Sequence, residues 1–407
     1  MLQSLEKIGA NKVVLALSAA RLADAVGNSI LFVIIPLYVA KLPAPWFPLP
    51  ETVRAGLLIS LYGFVNALLQ PCVGAMVDRT NRRKIFIQGG LALMAISTFG
   101  YVFANRFTDI LVLRMIQGVG IALTITASMA IMAICTDKRT RGGAMGVFST
   151  SRLLGLSTGP LLGGYLYDHF GFNSSFYAGT LFVVLGIILV QIWIEDVRVP
   201  ADPIRETKRL KIMDGALLTP GILSAAFAIF VMAAAFSMVT PLEKQFNIRL
   251  NESAFDFAIA FSAVMFSRLL FQIPVGRLSD HIGRKPLIIM GLIVMAPVTA
   301  LLGEAGTTLQ LIGLRVIQGI GSAGIAAPAM ALAADRWRRP SDEHHNHGFQ
   351  SRYLGRPSAC RSAGGLFLPT ALRHCGLDDA DQHLDRFALC SRDDYPSVSR
   401  LIPINRK

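Results

Sequence analysis

Ten stretches of about 20 apolar residues, set apart by short polar connections, constrain this chain more than any other feature. They fall at about 12–38, 55–76, 84–104, 108–132, 142–166, 173–194, 215–240, 254–276, 286–304 and 308–333. A hydrocarbon core is crossed by a helix of roughly 20 residues, and backbone in that medium must satisfy its own hydrogen bonds, so repeated stretches of this length are helices. Composition agrees: of 407 residues 53 % are hydrophobic and 16 % charged, and the mean hydropathy is +0.52, outside the range of a soluble chain. The expectation is an all-α integral membrane protein, and no enzyme.

The formal charge of +13 does not point to nucleic acid, because the basic residues concentrate in alternate connections. "VDRTNRRK", "TDKRTR", "ETKRLK" and "GRLSDHIGRK" are rich in Lys and Arg, whereas "KLPAPWFPLPE", "NRFTD" and "YDHFGFN" are poorer. The positive-inside bias places the first group in the cytoplasm, together with the amino terminus of a multi-pass protein of the inner membrane. Membrane lipids are its expected partners, and the chain is expected to be a monomer. The first apolar segment lacks a small-residue cleavage site and reads as a span rather than a signal peptide. The five cysteines form no close pairs, so neither a disulfide framework nor a metal knuckle is expected.

The chain repeats itself. "QPCVGAMVDRTNRRK" (70–84) returns as "QIPVGRLSDHIGRK" (272–285), and "LRMIQGVG" (113–120) as "LRVIQGIG" (314–321). Two homologous six-helix halves are therefore expected: residues 1–197, a cytoplasmic loop 198–214, and a second half, 215–334, in which only four helices are legible. Pro36 and Pro241, at the outer ends of the first and seventh segments, are a weaker echo.

These motifs resemble those of the major facilitator superfamily, over roughly residues 10–335, and most closely its proton-coupled drug and metabolite antiporters. The loop motif of that family is met by Gly74, Asp78, Arg79, Arg82 and Arg83, with Asn81 where glycine is usual. The second copy keeps Gly276, Asp280, Gly283, Arg284 and Lys285 and has His281 in place of Arg79. The resemblance implies that these gating loops latch the halves together in the outward-facing state. Asp78 can accept hydrogen bonds from a helix-end amide or an arginine, and Gly74 admits a close helix approach. Arg79, Arg82 and Arg83 can pair with acids or anionic headgroups, and mere enforcement of topology is the other reading for Arg83 and Lys84.

"GVFSTSRLLGLSTGPLLGG" places Gly146, Gly155, Gly159, Pro160, Gly163 and Gly164 on the fifth segment. Glycines four apart form a flat groove for a close crossing, and Pro160 removes a backbone donor and is expected to kink the helix. In the family this array resembles the antiporter motif, which implies export of a small organic substrate driven by the proton gradient, with no cofactor. A purely structural groove is the alternative.

Ionisable residues at membrane depth are costly and are functional candidates by default. Arg21 and Asp24 lie three apart on one helix face, able to neutralise each other, so Asp24 is read either as proton carrier or as half of a static pair. The resemblance implies that Arg114, with Gln117, faces the cavity and takes part in proton coupling; Arg315 and Gln318 are their repeat counterparts. Arg152, Arg268 and Gln272 are further candidates, read either as cavity groups or as interhelical polar groups. An importer of the same fold, or a remnant that no longer transports, are the competing functions.

Beyond Ala334 the composition breaks. Five of the seven histidines fall there, His344, His345 and His347 among them, and the expected helices eleven and twelve are missing. Shifting the reading frame of "DEHHNHGFQSRYLGRPSAC" by one base permits "MNIITMGFSLGISVGPLLAG", an apolar run with the glycine-proline array of the fifth segment. Residues 335–407 are thus expected to be a polar, disordered tail read out of frame, with the break between Asp335 and Asp342, and not a metal site. Sequencing of the gene between the codons for Ala334 and Gly348 tests this.

Overall fold

The computed structural model describes residues 11–46, 48–80, 82–136, 140–194 and 219–338, with side chains to residue 333. All the regular structure there is helical. The first half holds α1 (Lys12–Val39), α2 (Glu51–Arg79), α3 (Arg83–Gly100), α4 (Phe107–Cys135), α5 (Arg141–Phe170) and α6 (Phe172–Trp193). The second holds α7 (Pro220–Ser237), α8 (Ala254–Ile282), α9 (Arg284–Leu301) and α10 (Thr308–Arg338), with a short helix, Glu243–Leu250, between α7 and α8. Among the described residues, nine helical stretches are long and apolar enough to cross a membrane. The tenth helix, α5, has 30 residues, but its glycines, hydroxyl residues and Arg152 dilute its apolar content. It nevertheless runs unbroken through Pro160, as helices supported by neighbours can.

The helix starts follow from local chemistry. Asn11 Oδ1 accepts the Val14 N–H at 2.9 Å, and its Nδ2 donates to the Cys135 carbonyl at 2.7 Å, tying the start of α1 to the end of α4. Pro220 opens α7 behind the cap residue Thr219, so α7 begins five residues later than its apolar run, 215–240, suggests. Ser253 and Asp256 cap α8 reciprocally at 3.1 and 3.0 Å, a capping box. Gly283, with φ +103°, makes the reversal between α8 and α9, in a backbone region that favours glycine.

The sequence duplication is a duplication of packing. In the first half α4 packs on α2 and α3, and in the second α10 packs on α8 and α9. A methyl group added at Gly90 would lie 2.5 Å from the Gly120 carbonyl, and one at Gly291 2.6 Å from the Gly321 carbonyl. Each pair keeps the spacing of the repeat, so the same small-residue crossing is built twice. In the first half, α1 packs on α5 and α6.

The halves meet along α5 and α8, and where the segment around Pro241 meets α1 and α2. Near the Pro36/Pro241 end, Lys244 Nζ lies 2.5 Å from Glu51 Oε2, and Asp168 Oδ2 accepts the Phe255 N–H at 3.0 Å. A methyl group at Gly164 would sit 2.9 Å from the Ala254 carbonyl, and Ile30, Ile34, Phe107, Phe257 and Ala258 share one apolar cluster there. Towards the Asp78/Asp280 end the same helices diverge. An added methyl at Gly146 would meet nothing within 4 Å, and the nearest atom at Gly276 is Ala327 Cβ of its own half, at 3.9 Å. At Gly74 the nearest atom to an added methyl would be Thr126 Cγ2 of α4, at 3.6 Å. That end is open in this arrangement.

The backbone of residues 335–338 continues α10. The rest of the tail, with the histidine cluster and most of the interval expected to hold the frame break, and the central loop 198–214 lie outside the described residues.

Candidate functional site

A knot of charge lies between the halves. Arg21 Nη1 and Asp24 Oδ2 of α1 pair directly, at 5 % and 1 % side-chain exposure. Around them stand Tyr62 of α2, Arg114 of α4 and Arg152 of α5, close enough to act on one another electrostatically, with Arg268 of α8 near Arg152. Asn28 Nδ2 donates to the Tyr62 hydroxyl at 2.9 Å, and the Arg114 guanidinium lies 5.5 Å from the centre of the Tyr62 ring, a cation–π distance. Arg152, midway along α5, is itself exposed. Phe32 and Phe261 stack across the halves at 5.8 Å.

Each RxxQ motif closes a hydrogen-bonded triad. Arg114 Nη1 donates to Gln117 Oε1 at 3.0 Å, and Gln117 Nε2 donates to Thr98 Oγ1 at 2.9 Å. Arg315 Nη1 donates to Gln318 Oε1 at 2.7 Å, and Gln318 Nε2 to Thr299 Oγ1 at 3.1 Å. All three members recur at one spacing, so the repeat was the signal that could have picked out Thr98 and Thr299. The copies differ where the Tyr101 hydroxyl donates to Gln117 Oε1 at 2.8 Å, because Leu302 occupies the corresponding place. Both arginines are fully buried, and Arg114 Nε and Nη2 have no hydrogen-bond partner in the protein. Such donors are costly to leave unmet, and their orientation by glutamine is what preorganises them.

The α5 array divides its work. Methyl groups at Gly155 and Gly159 would lie 2.8 Å from the Leu22 carbonyl and 2.6 Å from the Val26 carbonyl of α1. Gly163 faces Ile30 of α1, while Gly164 faces α8. Ser29 Oγ donates to the Gly155 carbonyl at 3.0 Å. The array thus seats the helix that carries Arg21 and Asp24.

The gating residues stand at the open end. Asp78, Arg79 and Arg82 are exposed. Asp280 pairs with Arg284 at 2.6 Å, and Arg284 also donates to Ser279 Oγ at 2.7 Å. Arg83, the first residue of α3, is 5 % exposed. At the closed end lies Glu243, an acid that sequence reasoning missed. It is 0 % exposed, and neither carboxylate oxygen has a partner. The repeat could have found it, for "PLY" (36–38) returns as "PLE" (241–243). Tyr38 Oη donates to the Ala104 carbonyl at 2.9 Å, whereas Glu243 lies within electrostatic reach of another acid, Asp168. Among the described residues, no group of three or more His, Cys, Asp or Glu is placed to hold a metal ion.

The family profile described as Major Facilitator Superfamily matches residues 17–268 and 226–371. The multi-drug resistance efflux pump PmrA of Streptococcus pneumoniae is 25 % identical over 281 residues, covering 68 % of this chain and 70 % of that protein. The synaptic vesicular amine transporter of Mus musculus is 26 % identical over 249 residues, covering 61 % of this chain and 47 % of the relative. In fold, the chain resembles a bacterial homologue of the human lysosomal transporter Spinster in its inward-facing, unoccupied conformation. The TM-score is 0.63 at 17 % identity, covering 79 % of this chain and 74 % of that one.

Proposed function

The chain belongs to the Major Facilitator Superfamily, and on that premise we propose that it couples a small organic substrate to protons and exports it by alternating access. The observation that carries this is the buried Arg21–Asp24 pair, seated on the α5 glycine array. A carboxylate at that depth has a proton as its cheapest counter-charge when its arginine is drawn elsewhere. Contact at the Pro36/Pro241 end and divergence at the Asp78/Asp280 end is the geometry of one of two alternating states. With the basic connections in the cytoplasm it is the inward-open one, and Asp78 then waits for the other state to engage. Export is the direction that the likeness to PmrA favours.

A second reading, uptake together with protons, is favoured by the surplus of arginine around Asp24. A proton added there increases the positive charge and favours an anion in the same state. The test is the full chain in liposomes with entrapped pyranine, under an imposed proton gradient, challenged with a panel of organic cations and anions. Substrate-dependent proton movement is expected, lost in Asp24→Asn; its sign distinguishes exchange from co-movement. Proton movement at the parental rate in Asp24→Asn would refute the coupling role.

A further inference from the structure

We propose that the substrate is an organic anion, bound through a carboxylate, sulfonate or phosphate group by Arg152 and Arg268. The inference rests on the reading that the central knot lines the transport cavity, and is independent of the direction of transport or its coupling. Among the described residues, three guanidiniums (Arg21, Arg114 and Arg152) gather around Tyr62 with Asp24 as their one carboxylate, and a fourth, Arg268, lies near Arg152. Arg21 is taken by Asp24 and Arg114 by Gln117 and the Tyr62 face. Arg152 of α5 and Arg268 of α8, helices that pack on each other across the halves, are then left near enough for their like charges to repel, with Arg268 Nε lacking any partner in the protein.

Two guanidiniums at membrane depth whose nearest acid, Asp24, is already paired with Arg21 are expensive to keep, and each presents a planar fork of donors suited to a two-oxygen anion. Bridging them with one anion would remove the repulsion and also draw α5 and α8 together. Those two helices touch at the Pro36/Pro241 end and diverge at the other, so an anion held between them bears on the pair whose separation defines the open end. An organic cation would find three positive charges in excess of the one negative charge. The aromatic pair Phe32 and Phe261 provides an apolar surface across the same two halves for the organic body of the ligand.

Purified full-length chain in nanodiscs of phosphatidylcholine is titrated with carboxyfluorescein, as the anion, and ethidium, as the cation, and binding is read by fluorescence anisotropy. Carboxyfluorescein is expected to bind saturably and at least about tenfold tighter than ethidium, a difference of about 1.4 kcal/mol. Arg152→Gln and Arg268→Gln should each weaken it by about tenfold, Arg152→Lys by less, and the exposed Arg106→Gln by no more than twofold. Displacement by phosphatidylglycerol added to the disc would assign the anion to a lipid headgroup; its absence would assign it to a free solute. The inference is overturned if carboxyfluorescein does not bind saturably, if ethidium binds as tightly, or if both glutamine variants keep parental anion affinity. Should a variant fail to elute as a monodisperse species, the charge preference of the parent decides alone. Proton-coupled movement of ethidium in the liposome assay would leave the transporter reading standing and remove this one, whereas anion binding without proton movement would do the reverse.

Discussion

Replacing Gly159 with alanine puts a methyl group 2.6 Å from the Val26 carbonyl and onto Ser29 Oγ. Relief to an ordinary contact of about 3.4 Å requires α1 and α5 to separate by about 0.8 Å, and a gap of that size forfeits roughly a quarter to a half of each contact's dispersion energy along the crossing. Overpacking of this kind costs about 1–3 kcal/mol. At about 2–4 °C per kcal/mol for a domain of 150–250 residues, the unfolding midpoint of the purified protein should fall by roughly 2–12 °C. The matched control is Gly146→Ala on the same helix, where the methyl group meets nothing within 4 Å. There the helix gains up to about 1 kcal/mol of propensity, so its midpoint should hold or rise. The assay is thermal unfolding in detergent, followed by the loss of the monodisperse chromatographic peak. Equal shifts in the two variants, or no fall in Gly159→Ala, would refute the view that this part of the array exists to seat α1.

Gln117→Leu and Gln318→Leu each strip a buried arginine of its acceptor and should each destabilise by about 1.5–3 kcal/mol. Having no shared partner, their effects in the double variant should add to within about 0.5 kcal/mol; strong non-additivity in the same unfolding assay would show that the triads are coupled. Glu243→Gln removes a buried carboxylate that has no hydrogen-bond partner and should hold or raise the midpoint, so a clear fall would mean that the acid is paired in solution. Asp78 is exposed, and Asp78→Asn should leave stability within about 0.5 kcal/mol yet depress transport in the liposome assay; full activity would remove it from the gate. A cysteine introduced at Ala44 should react with an impermeant maleimide from outside intact cells and one at Thr207 should not; the reverse pattern would invert the proposed orientation.

The ten spans, the two homologous halves, the paired RxxQ motifs and the glycine array were all legible in the chain before any fold was known. These are local or periodic properties: a span is a run of apolar residues long enough for a bilayer, and a repeat is the same run at a constant spacing. The 201-residue spacing that joins Arg114 to Arg315 also joins Thr98 to Thr299 and Gly90 to Gly291, so the second triad and the second tight crossing were implicit in the repeat.

Tertiary structure alone decided which end of the molecule is closed, and which glycines of one array serve α1 or α8. It alone decided that Arg83 is buried, that Glu243 is sealed at the closed end, and that Arg152 comes near the Arg21–Asp24 pair. Each of these depends on how helices far apart in the chain cross and how the two halves tilt. A helix that is apolar on every side carries little in its own pattern to say which side meets a neighbour and which meets lipid. In a bilayer that choice falls to small-residue contacts, hydrogen bonds and the placing of a few charges between helices.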